Sequence, residues 1–286
     1  FIGVELYGKL IQKDFELTVG EQQDFETISS AIDFAAHTVK PYKENRCTIK
    51  IYPGEYVEQV VMEKYISLVG TDKKRCIVRD NTGNYDTPPL KISASNSVRE
   101  LTFLATHDDN PDFNELTHGS YAIHADYTGG EQGDEVLIED CILISYCNDA
   151  LGSGLWDERP LVVRRCECYG LKDIGNGSYA IAMHNGSIGT GQQTFIVEDC
   201  ILKGITKRVL NIAETFVGKN VIIKLLNNTL YSDAINEATQ KPYANSDEIV
   251  TITPVTGGED CISGGMKLDG ISCKNNVALL NSKYQI

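Results

Sequence analysis

Apolar and polar residues alternate along this chain in short runs far more often than they recur at helical spacing. The one helical stripe lies in DFETISSAIDFAAH, residues 24–37, where Phe25, Ile28, Ile32 and Ala35 or Ala36 share a face. It predicts a helix over 24–37 with Asp24 as its N-cap. The other periodic segments read as strands: CTIKIY at 47–52, YISLVG at 65–70, VRELTFL at 98–104 and VLIEDCIL at 136–143. LVVRRCEC at 161–168, FIVEDCIL at 195–202 and VIIKLLNN at 221–228 continue the series. Gly, Asn and Asp separate them, as turns between strands require.

The strands repeat. GSYAIHAD at 119–126 returns as GSYAIAMH at 177–184, and VLIEDCIL returns as FIVEDCIL. A divergent copy, DALGSGLW at 149–156 followed by LVVRRCEC, lies between them. Cys141, Cys166 and Cys200 mark one unit every 25 to 34 residues. A period of that length with strands in every unit predicts an all-β solenoid, a right-handed single-stranded parallel β-helix. Its coils stack about 4.8 Å apart, and the helix at 24–37 caps the open edge of the first coil. The expected organisation is a lead-in segment over 1–20, a β-helix with its capping helix over 21–231, and terminal coils or a cap over 232–286.

Composition narrows the partners. The 286 residues carry 26 Lys and Arg against 40 Asp and Glu, a formal charge of -14. Such a surface does not suit nucleic acid, whose phosphates need a basic face. No apolar run reaches the roughly 18 residues of a membrane span, so no membrane partner is expected. Nine cysteines without paired CxxC spacing read as free core thiols, and Cys141, Cys166 and Cys200 as one stacked column. That suits synthesis in a reducing cytoplasm. The acidic run 106–119 lacks the glycine of a calcium loop, with Phe113 in its place, so it reads as a solvated loop. No metal and no cofactor are expected.

Strand alternation turns the repeat into a candidate groove. Ile123, Ala125, Leu151, Ser153, Ile181 and Met183 point inward, and His124, Asp126, Gly152, Gly154, Ala182 and His184 point outward. A bare glycine and alanine floor would separate His124 and Asp126 from His184, two rungs and on the order of 10 Å away. Trp156 follows at the edge and offers a flat face for a sugar ring. Substrate contact is assigned to His124, Trp156, His184, Gly152 and Gly154. Asp126 with Asp149 or Asp173 supplies the carboxylates that glycosidic hydrolysis needs about 5–10 Å apart.

FELTVGEQQDFETISSAIDFA, IKIYPGEYVEQVVM and ISLVGTD resemble the opening of the pectin methylesterases and the wider pectin-lyase-like superfamily. The likeness covers roughly residues 15–75 and includes Pro53, Gly54, Glu55, Tyr56, Val57 and Glu58. It implies a parallel β-helix that engages polysaccharide. YCNDAL at 146–151 is similar to the segment holding the family's acid, with Asn148 at its glutamine and Asp149 at its aspartate. Asp173 in GLKDIGNG stands where the nucleophilic aspartate belongs, without its usual flanks. Tyr121 replaces the family's other amide, and the arginine that orients the nucleophile has no clear match, Arg208 being the nearest candidate. Phage tail spikes and appendages look alike at this level, which implies a homotrimer on a virion tail, or a secreted or cell-surface protein. Three readings follow: a spike-type protein that binds and depolymerises a host polysaccharide, a bacterial hydrolase, lyase or esterase, and a non-catalytic solenoid.

Overall fold

A computed structural model of the chain describes residues 15–92, 95–110, 119–125, 135–154, 160–172, 177–184, 193–205, 209–215, 221–232, 235–236, 241–242, 250–254 and 271–280. Strands join rung to rung into three parallel sheets, and the described coils visit the three in the same order. In one coil, Val136–Glu139 belongs to sheet 1, Ile142–Ser145 to sheet 2 and Leu151–Gly154 to sheet 3. Leu161–Arg164 then begins the next coil, paired in register with Val136–Glu139. Sheet 1 has nine strands, sheet 2 eight and sheet 3 seven among the described residues. The chain is therefore a parallel β-helix. Phe15–Val19 already pairs with Cys47–Ile51, and Ile271–Lys274 with Val221–Leu226, so sheet 1 runs nearly the full length of the chain.

Several runs that read as one strand are two. VLIEDCIL bends between Glu139 and Ile142 because Asp140 takes a left-handed φ of 52°. Glu100, Arg165, Asp199, Asn227 and Asn275 take the same conformation on other rungs, with φ between 51° and 56°. Asp and Asn tolerate this region better than other side chains. The next residue turns inward. Leu101, Cys141, Cys166, Cys200 and Asn228 form a buried column there. Each thiol donates to the carbonyl two residues back: Cys141 to Glu139 at 3.2 Å, Cys166 to Arg164 at 3.3 Å and Cys200 to Glu198 at 3.2 Å. Amides then succeed thiols. Asn228 accepts from the Cys200 N–H at 2.9 Å and donates to Val197, and Asn276 repeats the pattern on the last described rung by donating to Leu225. Cys47, Cys76, Cys141, Cys147, Cys166, Cys168 and Cys200 are free and buried, and burial pushes the Cys141 and Cys168 thiols far above their ordinary range.

Outside this corner, sheet 1 carries a ladder of alternating charge. Arg99, Glu139, Arg164 and Glu198 occupy one column. Arg99 meets Glu139 at 3.0 Å, Arg165 meets it at 2.6 Å, and Arg164 bonds both Glu139 and, at 3.9 Å, Glu198. Burial works to raise the Glu139 pKa, but hydrogen bonds from Arg164 and Arg165 with the Arg99 charge hold it below the ordinary value.

The cap differs in detail from the expected helix over 24–37. The α-helix α1 is Ile28–Phe34, extended by a wider π turn over Ala35–Val39. Thr27 is its N-cap, accepting from Ser30 N–H. Asp24 instead accepts from the backbone and hydroxyl of Thr18 on the first strand. Ile28, Ala31 and Ile32 close the end of the core. Glu58 completes the helix start: its carboxylate accepts from Ile28 N–H at 2.8 Å and Ser29 N–H at 2.9 Å, and from the Ser29 hydroxyl. Tyr56, buried, donates to Tyr52 O at 2.7 Å. The PGEYVE motif thus builds the cap. Glu58→Ala is expected to lower stability by about 2 kcal/mol, since it strips a charged acceptor from two helix N–H groups. A drop of roughly 4–8 °C in melting temperature checks this; an unchanged melt contradicts it.

Candidate functional site

Sheet 3 positions the candidate groove. Its outward column runs Val61, Lys91, His124, Gly152, Ala182 and Asn211, fixed by the register of successive rungs. Ile123 and Ala125 are buried while His124 is half-buried, as alternation requires. His184 pairs with Gly154, so it stands two residues along the strand from the His124 column. By rung and residue spacing that is about 12 Å from His124, on a diagonal rather than straight up the groove. The positions of Asp126, Trp156 and Asp173 lie outside the described residues, as does that of Arg208.

The floor is not bare. Leu151 through Gly154 are buried, and the Tyr121 ring lies over Gly152. A Cβ at Gly152 would come within 2.7 Å of that ring, so glycine is what lets the ring lie flat on the sheet. Tyr121 is one corner of an aromatic cluster. Its centroid is 5.1 Å from His124 and 5.7 Å from Tyr85, and Tyr85 is 5.5 Å from His124. All three are half-buried, presenting part of each ring outward. Lys91, one rung below His124, sets a cation beside the cluster. Tyr85, Tyr121 and Lys91 did not emerge from strand alternation. Tyr121 sits just before its strand, and Lys91 ends a two-residue strand behind Pro88 and Pro89.

Asp149 occupies the place on the next rung that Tyr121 occupies on its own, two residues before paired strand residues Leu151 and Ile123. Adjacent rungs lie about 5 Å apart, so Asp149 stands one rung from Tyr121 along the coil axis. It is only 7% exposed, and its Oδ1 accepts from Tyr179 N–H at 2.7 Å. Burial pushes its pKa up to about 7, with the Tyr179 bond and the Lys172 charge pulling the other way. Asn148, which the sequence likeness sets at the family's glutamine, donates its amide to Gly119 O at 2.8 Å and braces the turn. Ser145 accepts from Cys147 and Asn148 N–H in the same turn and donates to Ser120. Among the described residues no group of His, Cys, Asp and Glu is arranged to hold a metal.

Arranged this way, the sheet can stack a flat apolar ring face against Tyr85 and Tyr121, offer hydrogen bonds and a cation from His124 and Lys91, and keep a neutral carboxyl in reserve below pH 7. No protein-family model matches the sequence, and no curated protein matches it. Solved structures do match in fold. The pectin methylesterase of Aspergillus niger superposes with a TM-score of 0.50 at 15% identity, covering 93% of this chain and 86% of that one. The carrot pectin methylesterase gives 0.42 at 14%, covering 93% and 89%. That of Yersinia enterocolitica gives 0.40 at 14%, covering 90% and 92%. The chain has the right-handed parallel β-helix fold of the pectin-lyase-like group.

Proposed function

We propose that the chain binds a polysaccharide along the outward face of sheet 3, with Tyr85, Tyr121 and His124 as the platform for one sugar ring. The observation that carries this is the aromatic cluster itself. Three half-buried rings lie within 6 Å of one another, and one of them, Tyr121, lies over a glycine that a larger residue could not replace without moving it. Sugar rings present flat C–H faces that pack on such platforms, and Lys91 beside them favours an acidic glycan. The Aspergillus structure of similar fold is named for action on pectin, which agrees with a polysaccharide partner. A tail-spike or appendage setting suits the free buried thiols, which do not call for an oxidising compartment.

A second reading has one observation in its favour. Asp149, with its pKa pushed up to about 7, is protonated under mildly acidic conditions and can donate a proton in ester or glycosidic cleavage. Mass spectrometry after incubation with bacterial and plant polysaccharides separates the two. Binding without product supports recognition alone. Oligosaccharides, or methanol or acetate released without chain cleavage, establish an enzyme and name its bond. Neither binding nor product from any polymer contradicts the proposal.

A further inference from the structure

We propose that Tyr179 carries a second sugar ring, so that an extended polysaccharide lies along the coil axis with alternate residues stacked on Tyr121 and Tyr179. The inference rests on the glycan reading and deepens it. It fixes how the polymer runs, how long a fragment must be to fill the site, and what shape of chain suits it.

Repetition in the sequence becomes repetition on the surface. GSYAI at 119–123 recurs at 177–181. Ile123 pairs with Leu151, and Leu151 with Ile181. Counting back two residues from each puts Tyr121, Asp149 and Tyr179 in one column on successive rungs. The neighbours of both tyrosines, Ser120 with Ala122 and Ser178 with Ala180, are buried. The tyrosines between them are half-buried. Alternation therefore turns both rings outward. Backbone bonds fix Tyr179 in the stack: its N–H donates to Asp149 at 2.7 Å, and its carbonyl accepts from Ala150 N–H at 3.3 Å. Asp149, between the two tyrosines, is buried and lies low in the column. A ligand can pass over it from one ring to the other.

Spacing then selects the polymer. Two rungs at about 4.8 Å each set the tyrosines about 10 Å apart along the coil axis. That is close to the advance of two residues in an extended chain. A ribbon whose rings turn over at every linkage shows the same face again at every second residue. Its first and third rings can therefore stack on Tyr121 and Tyr179 by the same C–H face, while the second passes over Asp149. A chain crossing the coils in the strand direction meets one of these tyrosines only. A three-fold helical chain repeats its face at every third residue and falls out of step.

Calorimetric titration with size-graded fragments, from disaccharide to hexasaccharide, of whichever polysaccharide the native chain retains tests this. The disaccharide settles on the larger platform of Tyr85, Tyr121 and His124. Affinity should step up about tenfold from disaccharide to trisaccharide, the contribution of one aromatic anchor. Tyr179→Ala should erase the step and leave disaccharide affinity native, which also shows that the variant is folded. The bond to Asp149 survives in it, because the backbone makes that bond. Tyr179→Phe should restore the step, and Tyr121→Ala should weaken every length. A step that survives Tyr179→Ala, a step first seen at the tetrasaccharide, or no step at all overturns the inference and leaves the first platform standing. A native chain that retains no polysaccharide removes the glycan reading and this inference with it.

Discussion

At pH 8 the Asp149→Asn variant should be more stable to unfolding than the native chain by on the order of 4 kcal/mol. The carboxyl is 7% exposed and its pKa is raised from an ordinary 3.8 to about 7, chiefly by burial. The native state therefore holds a proton between those values that the unfolded chain releases. Where the native state binds more protons, stability falls as pH rises. The loss begins near the unfolded pKa, is complete once pH passes about 7, and is absent near pH 3. Asparagine keeps an oxygen for the Tyr179 N–H, 2.7 Å from Oδ1 in the native chain, and carries no charge to desolvate. Urea unfolding of both chains from pH 4 to pH 8 gives the difference directly. Taking the difference matters, because Glu139 and Asp140, whose pKa values are held down by their arginine partners, slope the other way in both chains. Curves that stay parallel across this range would mean the buried carboxyl is already ionised, and would remove the proton-donor reading with it.

The second large effect falls on binding. Tyr121→Ala should weaken polysaccharide affinity tenfold or more, about 1.5–2 kcal/mol, since a central aromatic anchor commonly carries that much of an interface. Tyr121 is the ring common to the contacts with Tyr85, with His124 and with Gly152. Tyr121→Phe keeps the platform and should lose much less. Gly152→Val leaves Tyr121 in the sequence but lifts its ring, because even a Cβ there lies 2.7 Å from it. Its affinity should therefore fall nearly as far as that of Tyr121→Ala. Calorimetric titration ranks the four chains. If Gly152→Val binds as the native chain does, the ring over the glycine is not part of the sugar site.

Much of the fold is legible in the sequence because solenoids repeat their chemistry. Cys141, Cys166 and Cys200 fall at the same corner of successive coils, and the residues around them are alike enough to reveal the period. The corner itself is hidden. A single left-handed residue such as Asp140 leaves the apolar alternation of VLIEDCIL nearly undisturbed while turning the chain from one sheet to the next. Arg165 and Glu100 take that conformation without any residue preference to betray it. The helix start is displaced from its expected place for a different reason. Asp24 and Thr27 are both able caps, and the choice falls to Glu58, thirty residues beyond Ile28, which satisfies the N–H groups of Ile28 and Ser29.

The site is legible only where it lies within strands. Alternation assigns the outward side of His124 and Gly152 correctly. It says nothing of Tyr85, which reaches the cluster from a turn, or of Lys91, which the register alone brings beside His124. Asp149 stands out by likeness to a family motif. Its observed bond is to the backbone of the next rung, a turn-bracing role, while its burial gives it the ionisation expected of an acid. Both follow from one fact, that the turn into sheet 3 is closed over by the next coil.

Sugar binding at the platform is tested most directly by a nuclear magnetic resonance titration of the native chain, labelled at tyrosine and histidine, with oligosaccharides from whichever polysaccharide it retains. Saturable shifts should concentrate at Tyr85, Tyr121 and His124, with Tyr169 and Tyr231 on sheet 2 unmoved. Saturable binding that leaves the first three signals in place would contradict a sugar site on sheet 3.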